Sequence, residues 1–184
     1  MKIFFLFLII IILQRLVELK VAKDNEKWMK QKGGVEFGKK HYRFIVAIHS
    51  LFFIFFIWEV TLFEKNLSEY WPFLLIIFVL TQSGRVWALT SLGRYWNTKI
   101  IVVPEAEVIV KGPYKYLKHP NYVIVTLEFL IIPFFYKAYI TMIVFSILNL
   151  WILSIRIPEE EKALKELTPY GQTFEKSHRF LPKI

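Results

Sequence analysis

The 184-residue chain is 55% hydrophobic, has a mean hydropathy of +0.43 and contains 18 Phe. One soluble core of this size cannot bury so much apolar surface, which excludes an ordinary soluble domain and points to lipid. The formal charge is +9, but Lys and Arg lie between apolar runs, so an anionic lipid surface fits better than nucleic acid; with no Cys, disulfides, thiolate catalysis and Cys-ligated metals are also excluded.

The chain opens on an apolar segment from Ile3 to about Leu19. Gln14, Arg15 and Glu18 follow in place of a small-residue cleavage site, so it reads as a retained first span rather than a signal peptide. Residues 20–43 hold eight Lys/Arg against three acids. Within them Gly33, Gly34, Glu36, Gly38 and His41 form a Gly-rich basic connector that lacks phosphate-loop spacing and suits a reentrant or surface lid. A second span runs from Phe44 to about Phe63 and a third from Tyr70 to about Leu92, with Gly84 and Arg85 inside it. Each approaches the roughly 20 apolar residues that cross a bilayer as helix. The block Tyr122 to Ile155 has 34 residues, short for two full spans and long for one. Pro133 and Lys137 mark a turn, which predicts two short arms of a helical hairpin.

The expected architecture is thus a single all-α integral membrane domain over 1–184. Three spans occupy 1–92, and a half with the hairpin and amphipathic cytoplasmic segments occupies 93–184. Loop charges alternate: residues 64–69 hold one Lys and two Glu, residues 93–121 five Lys/Arg and two Glu, and the tail from Arg156 six Lys/Arg. The positive-inside rule then puts the 20–43 loop, the 93–121 segment and the C-terminus in the cytoplasm, and five spans put the N-terminus outside.

Chemistry concentrates in two stretches. The first is Gly112-Pro-Tyr-Lys-Tyr-Leu-Lys-His-Pro-Asn-Tyr122, just before a membrane helix. Pro120 disfavours helix at His119, and Asn121 is the expected N-cap of a helix starting near Tyr122. Taken alone it reads equally as a turn with interfacial Tyr anchors. The second is Arg156-Ile-Pro-Glu-Glu-Glu-Lys-Ala-Leu164, where Arg156 and Glu160 share a helix face. Taken alone it reads as a solvated charged helix.

Together the two stretches resemble the isoprenylcysteine carboxyl methyltransferase family. That family carries Arg-His-Pro-x-Tyr before a helical hairpin and Arg-x-x-x-Glu-Glu-x-x-Leu after it. Here the first reads Lys118-His119-Pro120-Asn121-Tyr122, preceded by Gly112-Pro113-Tyr114, and the second Arg156, Glu160, Glu161 and Leu164. Tyr170, Phe174, Arg179 and Pro182 are similar to the family's ending. The match covers residues 84–184, and the first 83 residues look like the short bacterial members. Three departures stand out: Lys118 replaces an Arg and lacks its bidentate fork, Phe174 replaces a Tyr, and Glu159 adds a third acid.

The resemblance implies an S-adenosylmethionine-dependent methyltransferase in a bacterial cell membrane, with its active site facing the cytoplasm. It assigns Tyr114, Lys118, His119, Pro120, Tyr122, Glu160 and Glu161 to the methyl donor, and Arg156 with Glu160 to catalysis. The implied acceptor is lipophilic: an alkylpyrone or polyketide hydroxyl, or a prenylcysteine-like carboxylate. Phospholipid N-methylation and a non-enzymatic membrane scaffold are the alternatives, and the scaffold would bind no donor.

The remaining polar residues at membrane depth divide into two kinds. Glu128 and Arg85 are candidates for lining an acceptor tunnel or for pairing with each other. Arg15 and Glu18 are expected to neutralise one another, Glu59 to snorkel from a span end, and His49 to bond a neighbouring helix. The histidines at 41, 49, 119 and 178 lack metal-ligand spacing, so no metal is expected.

Overall fold

A computed structural model describes residues 1–174, and most helix boundaries fall at or next to a Gly or Pro. Helix α1 is Lys2–Gln31 and extends twelve residues past Leu19, the end of the apolar run. Nothing in residues 20–31 breaks a helix, and the chain turns only at Gly33, where φ is +81°. Strand β1, Val35–Phe37, follows. Gly38 then takes φ +63° and starts α2, Lys39–Leu62. Helix α3 is Trp71–Leu92, with Pro72 in its first turn. Strand β2, Ile100–Val102, pairs antiparallel with β1 in the register Val35↔Val102, Glu36↔Ile101 and Phe37↔Ile100. A 3-10 turn at Gly112–Lys115 leads to α4, Pro120–Phe134. Helix α5, Tyr139–Leu167, and the short α6, Tyr170–Thr173, complete the described chain.

The all-α membrane class holds, with a two-stranded ribbon added that the sequence did not announce. Among the described residues three helices, rather than five, are long and apolar enough to cross a membrane: α2, α3 with the turn that follows it, and α5. In α1 the apolar stretch already includes Arg15, Glu18 and Lys20 within residues 3–20. Helix α4 is apolar but has only 15 residues. The hairpin arms are therefore unequal: α5 continues through Pro158 for 29 residues. Pro158 removes one backbone donor, yet the helix persists because residues on both sides of it are fixed by α4, as described below.

Consecutive elements alternate in direction, so one end collects the C-termini of α1, α3 and α5 and the N-termini of α2 and α4. Asn25 of α1 donates to Trp96 O at 2.8 Å there, and Asn97 donates back to Ala22 O at 2.9 Å. At the other end Ser68 N donates to Phe135 O at 2.7 Å, and Phe4 packs edge-on against Tyr136 at 4.9 Å. Between the ends, Phe52 of α2 meets Phe129 of α4 at 4.8 Å and Phe145 of α5 at 5.6 Å, both edge-on. In lipid such packing, rather than apolar transfer, holds helices together, and each aromatic pair adds about 0.5–1.5 kcal/mol.

Two polar clusters lock this bundle. Glu59 does not snorkel. It is buried and turns inward, accepting from Thr141 N at 2.7 Å, Thr141 Oγ1 at 2.6 Å and Ile140 N at 3.2 Å. A carboxylate from α2 thus caps the N-terminus of α5, which has no side-chain cap of its own. The second cluster joins α1, α3 and α4. Arg85, 2% exposed, donates Nη1 to Glu18 at 3.1 Å and Nε to Glu128 at 3.1 Å. Arg15 bonds Glu18 at 2.7 Å and also reaches Glu128, as does Arg85 Nη2. Gln82 donates to Glu128 at 2.8 Å, and Gln14 links Glu18 to Gln82. Two cations and two anions cancel, and each carboxylate has several donors, which is what burial demands. Arg15 and Glu18 are thus half of a four-charge set rather than an isolated pair. His49 bonds Ile45 O of its own helix at 2.9 Å rather than a neighbour. With Arg15 and Glu128 it lines a cavity of about 20 Å³, room for one water.

Two stability predictions follow from these clusters, both read as thermal unfolding in detergent. Glu59→Ala leaves the first turn of α5 uncapped and costs roughly 2–3 kcal/mol. Arg85→Gln strands excess negative charge and costs roughly 3–5 kcal/mol, while Arg85→Gln with Glu128→Gln recovers part of that loss. A double variant no more stable than Arg85→Gln alone would contradict the charge-balance account.

Candidate active site

The site forms at the open end of the α4/α5 hairpin. His119, not Asn121, is the N-cap of α4, and Pro120 is its first helical residue. The ring of Pro120 needs no donor there and fixes φ for the helix, so the start moves two residues earlier than a capping side chain alone suggests. His119 is buried, and its Nε2 lies 3.1 Å from Glu161 Oε1 of α5, while Nδ1 is 3.9 Å from Glu160 Oε2. One turn into α4, Tyr122 stacks on His119 with centroids 5.3 Å apart and planes 24° from parallel.

The Tyr122 hydroxyl joins the two motif halves. It donates to Glu160 Oε2 and accepts from Arg156 Nε at 2.7 Å. Arg156 also stands over the Tyr122 ring, 5.8 Å from its centroid, and donates Nη2 to Thr98 O at 2.6 Å. Nη1 has no hydrogen-bond partner among the described residues. Glu161 is 8% exposed at its side chain and Glu160 28%, so Glu160 is the acid that faces open space. Leu153 and Ile157 pack on Tyr122 and keep the cluster apolar on its flank.

The 3-10 turn supplies the next wall. Tyr114 is buried against Ala88 and Ile124. Burial first, and then the Glu160 charge, push its hydroxyl above the usual tyrosine range, so it stays a hydrogen-bond donor at neutral pH. Gly112 has φ +58°, and a Cβ there would lie 2.0 Å from Ser91 Oγ, so no other residue fits this approach to α3. Asn121 presents a buried Oδ1 with no partner among the described residues. Lys118 is half-buried and makes no ion pair among the described residues.

The hairpin therefore brings Tyr114, Pro120, His119, Tyr122, Arg156, Glu160 and Glu161 together, with Lys118 at the edge. Arg85 and Glu128 lie deeper, engaged with each other and with Arg15 and Glu18. The Tyr170 and Phe174 rings pack tilted with centroids 4.9 Å apart, while Arg179, Pro182 and His178 fall outside the described residues. Sequence reasoning missed Thr98 and Tyr42. Tyr42 OH and Thr98 Oγ1 are 3.2 Å apart, although 56 positions separate them. The signal available was weak: Val35–Phe37 and Ile100–Val102 are short β-favouring runs bounded by Gly or a polar turn.

Comparison with known proteins meets this geometry. Residues 74–166 match the model of the isoprenylcysteine carboxyl methyltransferase (ICMT) family. The chain is 50% identical over 163 residues to the uncharacterized protein YpbQ of Bacillus subtilis, covering 89% of this chain and 97% of that protein. It is 27% identical over 156 residues to an uncharacterized protein of Haemophilus influenzae, covering 84% and 91%. No solved structure matches. The matched span contains both halves of the constellation at the open end of the hairpin, and the chain belongs to the isoprenylcysteine carboxyl methyltransferase family of membrane methyltransferases.

Proposed function

We propose that the protein transfers a methyl group from S-adenosylmethionine to an acidic oxygen of a lipophilic acceptor. The observation that carries this reading is Arg156: buried, anchored at Nε and Nη2, and open at Nη1 beside an acid pair and a stacked His-Tyr.

The residues present fit such a donor. The donor's ammonium, ribose hydroxyls and adenine amine are hydrogen-bond donors, and the site offers unfilled acceptors. Asn121 Oδ1 is buried without a partner among the described residues, and Glu160 keeps part of its carboxylate open. When bound, S-adenosylmethionine supplies a methyl already activated on sulfonium, so this chain's task is positioning. Glu160, Glu161 and His119 hold the donor end, and Tyr122 fixes Glu160. Tyr114 and the 112–118 backbone form the wall, with Pro120 setting its angle and Lys118 at the rim. Arg156 Nη1 orients the acceptor's anionic oxygen. Leu153 and Ile157 exclude water from the reacting oxygen.

An oxygen that is already anionic near neutral pH needs no general base, which suits a carboxylate or an acidic ring hydroxyl such as that of an alkylpyrone. An amine acceptor fits less well, because Arg156 would repel the cationic headgroup. The exposed apolar faces of α2, α3 and α5 give such an acceptor a route from the bilayer. Lys- and Arg-rich segments at the site end support a cytoplasmic orientation by the positive-inside rule.

Calorimetry of S-adenosylmethionine binding to detergent-purified protein tests the reading. Wild type is expected to bind, and His119→Ala and Glu160→Gln each to bind about tenfold more weakly, the loss expected for one charge-assisted hydrogen bond. A folded wild type that binds none would overturn it.

A further inference from the structure

Arg156 can orient an acceptor only if its own guanidinium is held. One anchor, Tyr122, belongs to the family motif. The other is a backbone carbonyl, that of Thr98, on the turn before β2. A carbonyl on a connecting turn is fixed only as far as the turn is fixed. We propose that Tyr42 is a positioning residue for Arg156: from α2 it holds Thr98, whose carbonyl receives the guanidinium. The inference rests on the methyltransferase reading for the meaning of Arg156, but not for its geometry.

The arm carrying Tyr42 comes from the part of the chain that precedes the family-matched span 74–166. Ribbon pairing places it. Phe37 is opposite Ile100, so the end of β1 lies beside the start of β2. Gly38, with φ +63°, turns the chain immediately into α2 and leaves Tyr42 in its first turn, where its hydroxyl meets Thr98 Oγ1 at 3.2 Å. The same glycine approaches the acid cluster: a Cβ there would lie 3.7 Å from Glu159 Cγ. On its other face the Tyr42 ring lies under the Lys99 ammonium, 5.7 Å from centroid to Nζ. Lys99 in turn bonds Glu26 of α1 at 2.8 Å. Thr98 is therefore held directly from α2, its neighbour Lys99 is tied to α1, and the hold passes to Arg156 through one hydrogen bond.

The test compares wild type with Tyr42→Phe, Thr98→Val and the conservative Thr98→Ser, each purified in detergent. Phenylglyoxal labelling, mapped by peptide mass spectrometry, reads Arg156 directly, with Arg85 as internal reference. Tyr42→Phe and Thr98→Val are expected to speed labelling of Arg156 roughly three- to tenfold, the range for loss of one neutral hydrogen bond, and to leave Arg85 unchanged. Thr98→Ser should restore the wild-type rate. With a synthetic long-chain 4-hydroxy-2-pyrone as acceptor, Tyr42→Phe should raise acceptor KM by a similar factor, with donor Kd unchanged. An unchanged Arg156 rate, or equal acceleration at Arg156 and Arg85, would overturn the proposal, the latter by showing general loosening. Labelling requires no donor, so a wild type that binds no S-adenosylmethionine overturns the functional reading while Arg156 still decides the role of Tyr42.

Discussion

The antiparallel contact between α4 and α5 sets His119 and Tyr122 against Arg156, Glu160 and Glu161. Pro120 fixes the first turn of α4, and the turn near Lys137 returns the chain so that Thr126 faces Asn149, bonded at 3.0 Å. Continuing that register towards the open end brings Tyr122 to Arg156 and Glu160, and His119 to Glu161. The overhang of α5 past Pro158 follows from the same contact. Without side chains on α4 to hold residues 160 and 161, a proline at that point would more naturally end a helix. The site and the length of α5 are thus one structural fact.

The bundle contains two classes of buried charge, and they differ in completeness. Around Glu128 two arginines face two glutamates, and the carboxylates are crowded with donors. Around Glu59 a carboxylate is filled by a helix N-terminus. Both are closed arrangements, and closure is what makes burial tolerable at a cost otherwise of several kcal/mol per ion. At the hairpin mouth the groups are ordered but not closed. Arg156 keeps Nη1, Glu160 keeps exposure, and Asn121 keeps an acceptor. Open valence held by rigid partners is the condition for binding something else.

How much of this the sequence revealed depends on the range of the interaction involved. Apolar run length is local, so α3 begins and ends near its expected limits and α2 ends near its own, although α2 starts five residues early, at Lys39. The two motifs are also local, and the family resemblance they carry implied His119, Tyr122, Arg156, Glu160 and Glu161. The cap of α4 was misplaced because Asn121 is the better capping side chain, while the structure lets Pro120 lead. Glu59 looked like a snorkelling group because its partner, Thr141, lies 82 positions away. Tyr42 and Thr98 were invisible for the same reason. Their meeting depends on a three-residue ribbon whose pairing no periodicity announces. The unequal hairpin arms were hidden because the apolar run ends at Ile155, while α5 continues as a charged helix to Leu167.

The central claim is that the mouth of the α4/α5 hairpin is the methyl-donor site. Ultraviolet cross-linking of methyl-tritiated S-adenosylmethionine to the detergent-purified protein, followed by peptide mapping, tests it most directly. The account predicts label in peptides containing residues 112–122 or 156–166, suppressed by excess unlabelled donor. Competable label confined to α1, α2 or the first half of α3 would contradict it.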